Sequence, residues 1–268
     1  TPFAQHAPRH YTLQGVHDRD HSYNYTSRGP GDLVSGLVEM DLPGDASQPL
    51  TLATIVPESD PRQPLSNVPA AMREVYASAQ ADIHAIDFVS PALSNFWGRP
   101  VTMNGWVVTP PDYAAHPGER YPVVYYTQGF GGSLRSLHDV GVARWSEMKT
   151  GKAPSMIWVG IDQSSPSGTS EFVNSVNNGP WGQALTAELI PDLERHYRMD
   201  AKPSGRFVTG HSSGGWAALW LQVNYPKLFG GAWPTSPDPS DFHSFLGIDL
   251  YAQGANVYRK PDGSHWPL

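Results

Sequence analysis

The apolar positions fall into two regimes along the chain. Over roughly the first 90 residues they come in short, interrupted runs. "LVSGLVEMDL" (33–42) and "LTLATIV" (50–56) read as strands, separated by the turn-rich "PGDASQP". Residues 1–30 are polar, with His6, His10, His17 and His21 among Arg, Asp and Tyr, and read as loop. "ESDPRQPLSNVP" (58–69) reads as a linker and "AAMREVYASAQADIHAI" (70–86) as a helix. From about residue 100 the runs become continuous: 101–110, 121–129, 155–162, 205–210 and 229–237 are strand-like. Between them, 181–198 places Trp181, Leu185, Leu189, Leu193 and Tyr197 four apart on one helical face, and 213–226 is an apolar helix. Asn177 to Pro180 supplies a start signal for the first of these helices, and Pro191 predicts a kink or break inside it. Short apolar strands alternating with helices predict an α/β fold. Its sheet is mostly parallel with helices on both faces, and a β-rich segment precedes it. The expected division is 1–90 for that segment and 91–268 for the α/β core.

Composition narrows the function more than the fold. The chain has 268 residues, enough for one large domain or one with an appendage, and 39% of them are hydrophobic, too many for disorder. A net charge of −7 and no basic cluster argue against nucleic acid as partner. The absence of cysteine removes disulfides, thiolate metal sites and cysteine nucleophiles. No apolar run approaches the roughly 18 residues of a membrane span. A start at Thr1, abundant aromatics and few lysines suggest a processed, secreted or periplasmic protein. Asn24-Tyr25-Thr26 matches a glycosylation triplet, informative only in a eukaryotic secretory host. His17 and His21 have a spacing that suits a metal on a helix, but the stretch is not helical and a solvated loop is the better reading.

The chemistry concentrates in two glycine-rich stretches. Gly210-His211-Ser212-Ser213-Gly214 fits G-x-S-x-G between a β-like hexapeptide and an apolar helical run. That context predicts a sharp strand-to-helix turn that pushes the Ser212 hydroxyl out at the carboxyl edge of the sheet. A glycine-rich turn without chemistry is the alternative. In "YYTQGFGGS" (125–133) a strand runs into Gly129-Phe130-Gly131-Gly132. An oxyanion hole made by the backbone amides of Phe130 and Ser213 is expected there. Asp162 stands at a strand end, where capping or loop hydrogen bonds explain it as well as chemistry does. His211 reads as a packing or pocket residue and His138 as loop or helix surface. Trp216 and Trp220 read as core rather than ligand box.

With these motifs the chain resembles the esterase D-like branch of the α/β-hydrolases. The matching stretches are "SPALSNFWGRPV", "YPVVYYTQGFGG", "NNGPWGQALTAELIPDLERHYR" and "GHSSGGWAALWLQ". The resemblance implies a Ser-His-acid hydrolase of small-molecule or polymer-linked carboxylic esters, with Ser212 as nucleophile and no metal or organic cofactor. Gln128 departs from it, since such families carry His before the glycines. The order Ser, acid, His requires partners after Ser212, yet only 56 residues follow it and no two further buried strands are legible among them. Three readings stay open. The base and acid lie in a segment beyond these residues, where the resemblance places them. Alternatively Asp238 or Asp241 is the acid and His265 or His243 the base. In the third reading the domain binds without catalysing. An acyltransferase is the enzymatic alternative to hydrolysis, and an aromatic or carbohydrate-linked ester is one plausible substrate class.

Overall fold

The computed structural model describes residues 9–19, 28–42, 44–45, 47–57, 60–165, 168–244, 247–260 and 262–265. His6, His21 and the Asn24-Tyr25-Thr26 triplet lie outside them. The first elements are β1 (Arg9–Leu13), β2 (Val16–His17), β3 (Leu33–Ser35), β4 (Val38–Leu42) and β5 (Leu52–Ile55). β1 and β4 form an antiparallel ribbon, and β3 is flanked by β2 and β5. The loop expected over 1–30 is therefore partly strand: alternating polar residues hid it, and pairing with 33–42 supplies its hydrogen bonds. Asp32, buried, accepts from the amides of Gly29 (2.6 Å) and Arg19 (3.2 Å).

The core follows as α1 (Ala70–Ala79), β6 (Ile83–Val89), α2 (Pro91–Trp97), β7 (Thr102–Val108), β8 (Val123–Thr127), α3 (Leu134–Lys149) and β9 (Ile157–Ile161). After several two-residue ribbons comes α4, made of Trp181–Gln183, a π-helical Ala184–Leu189 and Ile190–His196. β10 (Arg206–His211), α5 (Ser213–Asn224) and β11 (Gly231–Thr235) complete it. The six strands form one sheet in the order β11-β10-β8-β9-β7-β6. β8, β9, β10 and β11 run parallel; at one side β7 runs against them, and β6, antiparallel to β7, runs with them again. The α/β class with a mostly parallel sheet is thus as expected.

Two apolar clusters cover the sheet. One joins Tyr76 and Ala79 of α1, Leu137, Val142 and Trp145 of α3, and Trp106, Val108 and Trp158 of the strands. The other joins Trp181, Leu185, Leu189 and Leu193 of α4, Ala217 and Leu221 of α5, and Val123, Tyr125 and Val208. The four-residue spacing in α4 does bury its face, yet Pro191 breaks nothing. The amide of Ile190 bonds the Leu185 carbonyl five residues back, and this widened turn admits the ring where an α-turn would clash. The helix expected over 70–86 ends early: Ile83–Val89 pairs residue by residue with β7 instead. Ser90 caps α2, accepting from the Leu93 amide at 3.2 Å, and Glu188 of α4 accepts from Ser90 Oγ and the Ala92 amide.

Candidate active site

β8 bonds β9 on one side and β10 on the other, and the chain crosses from one side to the other between them. Such a reversal is where open α/β sheets place their sites, at the carboxyl ends of β8 and β10. Gln128 to Gly132 leave β8 there, and Ser212 leaves β10.

Ser212 has φ 57° and ψ −126°, a backbone conformation costing a non-glycine residue about 1–3 kcal/mol. It precedes α5 as an N-cap whose hydroxyl caps nothing. Turned from its own helix, Oγ donates instead to Asp238 Oδ1 at 3.3 Å. Neighbours leave no room for larger residues. A Cβ on Gly214 would stand 2.3 Å from the Thr127 carbonyl oxygen, and one on Gly129 would stand 2.9 Å from Ser212 Cβ. The glycine loop is thereby pressed against the serine. Within it the Gly132 amide bonds the Gly129 carbonyl at 3.1 Å, and Gly131 takes φ 78°. Phe130 is the second residue of this turn, so its amide lies outside the turn's own hydrogen bond. Its side chain is 56% exposed. The Ser213 amide opens α5, where the helix dipole favours negative charge.

Under the loops lies a polar layer. Gln128 Nε2 donates to Asp162 Oδ1 at 2.9 Å, and that oxygen also accepts from the Ser164 amide and hydroxyl. Asp162 therefore organises a loop, one of the two roles expected of it. Gln163, only 1% exposed, donates through Nε2 to the Gln128 carbonyl at 2.6 Å and reaches Ser213 Oγ at 3.4 Å. Sequence reasoning passed over Gln163, because no motif marks it.

A second acidic group faces the serine's partner. Glu171 and Phe172 have φ 48° and 53°, and the Phe172 ring, 1% exposed, anchors the pair in the core. Burial first, and then the Asp238 charge, push the Glu171 carboxyl above the usual glutamate range. Two adjacent non-glycine residues at positive φ are a signal the sequence does not display.

The histidines are placed elsewhere. His211 Nδ1 is 3.2 Å from Thr235 Oγ1. His243 Nδ1 is 2.6 Å from Asp241 Oδ1, and its ring packs on Tyr251. His265 pairs through its backbone with Arg259. Among the described residues no hydrogen bond or ion pair joins a histidine to Ser212 or Asp238. The structure thus brings together Ser212, Asp238 and the glycine loop, and His243 with Asp241, but not Asp238 with His265. His138 is not on the surface as expected. It is buried beneath α1, against the edge of Trp106 (5.1 Å between ring centres) and near Tyr76. Trp216 and Trp220 stack at 5.5 Å and are half-buried, while Ala217, Ala218 and Leu221 form the core face of α5. His17 lies on β2, and among the described residues no three His, Asp or Glu side chains gather as metal ligands.

No curated protein matches the chain. Solved structures do. A ferulic acid esterase shares 18% identity over 58% of both chains, with a TM-score of 0.47. The S-formylglutathione hydrolase of Agrobacterium tumefaciens shares 19% over 56% of both, with a TM-score of 0.45. The ferulic acid esterase AmCE1/Fae1A of Anaeromyces mucronatus shares 22% over 59% of both, with a TM-score of 0.43. The chain therefore spans less than two thirds of the length of each. The family model described as "Putative esterase" matches residues 96–266, which take in both glycine loops and most of the sheet, and the chain belongs to that family.

Proposed function

We propose that the chain is a serine hydrolase of carboxylic esters that works through an acyl-enzyme on Ser212. The observation that carries this is the strained Ser212 backbone at the sheet's reversal point, with its hydroxyl outside its own helix and Gly129 against it. Ser212 Oγ bonds the ester carbonyl carbon and gives up its proton to a base. The carbonyl oxygen becomes an oxyanion held by the amides of Phe130 and Ser213. The C–O bond to the alcohol breaks, and the alcohol leaves with the base's proton. Water then repeats the addition and releases the acid. The acidic mouth formed by Asp238 and Glu171 favours neutral or cationic esters over anionic ones.

Among the described residues no histidine hydrogen-bonds Ser212. Asp238 alone orients the hydroxyl, whereas an imidazole is what makes a serine strongly nucleophilic. The direct Ser212–Asp238 contact favours a second reading, a hydrolase fold that binds without completing the chemistry. A location outside the cytoplasm is part of the same proposal, supported by a composition rich in aromatics and proline and poor in lysine. Among the described residues no helix is long and apolar enough to cross a membrane.

Intact-mass analysis after fluorophosphonate treatment separates the two readings. A single adduct, absent from Ser212→Ala, is expected from an assembled hydrolase. A folded chain that takes up no adduct would leave the binding reading.

A further inference from the structure

We infer that Gln163 is the positioning residue of the oxyanion hole, which joins its two halves; the inference rests on the hydrolase reading above. One half is the glycine loop after β8, the other the start of α5. They come from chain segments more than 80 residues apart, and each oxyanion amide is useful only if both aim at one point. Gln163 lies between them on the loop after β9. The two hydrogens of its single Nε2 serve one half each, the Gln128 carbonyl at 2.6 Å and the Ser213 hydroxyl at 3.4 Å. The Gln128 carbonyl belongs to the peptide that leads into Gly129 and the turn carrying Phe130. Ser213 supplies the other amide.

The backbone around Gln163 is itself held. The Ser170 amide bonds the Gln163 carbonyl at 2.8 Å, and neighbouring Asp162 grips the Gln128 side chain from the other direction. The Gln163 Oε1 atom is buried without a hydrogen-bond partner, as is Gln128 Oε1. An apolar side chain would remove the orphaned Oε1, but it would also take the donor from the Gln128 carbonyl. The amide's return is therefore its two donors, which span the hole.

The test compares the full chain with Gln163→Leu, and with Gln163→Glu as a near-isosteric variant should the first fail to fold. Two readouts are taken: the second-order rate of fluorophosphonate labelling and site-resolved amide exchange. Glu194→Ala, a change far from the loops that weakens the fold, is the stability control. Labelling slowed by about tenfold or more, with faster exchange at Gly129, Phe130 and Ser213 and neither effect in the control, is the expected result. Labelling within about twofold of the parent, or slowed labelling with unchanged exchange at those amides, would overturn the inference. If the parent chain itself takes up no label, the hydrolase reading fails separately. Exchange then decides alone: faster exchange at both loops upholds the clamp, and unchanged exchange removes it.

Discussion

At the scale of single residues, the strained Ser212 backbone is held by glycines that let neighbouring backbone come close. G-x-S-x-G announces a turn because only glycine tolerates backbone at van der Waals distance on both sides, and Gly214 meets that demand against Thr127. Asp238 was legible only as a candidate acid. That it reaches Ser212 directly depends on the path of the chain after β11, which no local pattern encodes. Gln163 and Glu171 carry no signature at all, since their roles arise from burial and backbone strain. His138 was misplaced for a related reason. A histidine on a helix reads as polar surface, but Trp106 and α1 cover this one. Both its ring nitrogens are buried without partners. Burial holds its pKa below the ordinary 6.5, outweighing the upward pull of Asp139 and Asp60, while Arg135 and Arg62 add to the lowering. The unfolded chain then binds a proton that the folded one refuses, so stability falls as pH drops below about 6.5. His138→Leu is expected to lose less Tm than the parent between about pH 7 and pH 5. Parallel Tm losses in the two proteins would show that His138 does not titrate on unfolding.

At the scale of elements, periodicity located every strand of the core sheet except β6. Ile83 and Ile86 stand three apart, which suits a helix, yet a seven-residue ladder with β7 decides the outcome. The first strand of the chain leaves no periodic signal, because its residues are polar and its partner lies about 30 residues on. A proline inside a helical pattern predicts a kink or break, and composition carries no sign of the π-turn ahead of it in α4. What the elements share across the sheet is sparse but strong. Arg206, opening β10, makes a two-pronged ion pair with Glu194 of α4 (2.5 and 2.9 Å), and both side chains are about nine-tenths buried, 11% and 12% exposed. Removing one member leaves the other charge in a dry site. Glu194→Ala is therefore expected to cost about 3–5 kcal/mol, read by urea or thermal unfolding. A loss under about 1 kcal/mol would mean that water replaces the lost carboxylate.

At the scale of the whole molecule, the sequence regimes and the folded layers do not change at the same place. Composition shifts near residue 100, but the sheet begins at Ile83 and its helical cover at Ala70. Tyr76, Ile83 and Ile86 are buried against the strands and α3. At roughly 1.5–3 kcal/mol for each such side chain, they rival the whole net stability of a domain, about 5–15 kcal/mol. The strands before them contribute differently. Their link to the core includes Arg135 of α3, which bonds the carbonyls of Asp60 and Gln63, both after β5. Two truncations separate these roles. A chain beginning at Asp60 keeps the Arg135 contacts, α1 and β6, and is expected to stay monodisperse with Tm within about 4 °C of the parent. A chain beginning at Ser90 uncovers Trp106, Val108 and Trp145 and strips β7 of an entire ladder. It is expected to aggregate and to lose its near-ultraviolet circular dichroism. Should the shorter chain fold as well as the longer one, the cluster beneath α1 would be an appendage rather than half of the core.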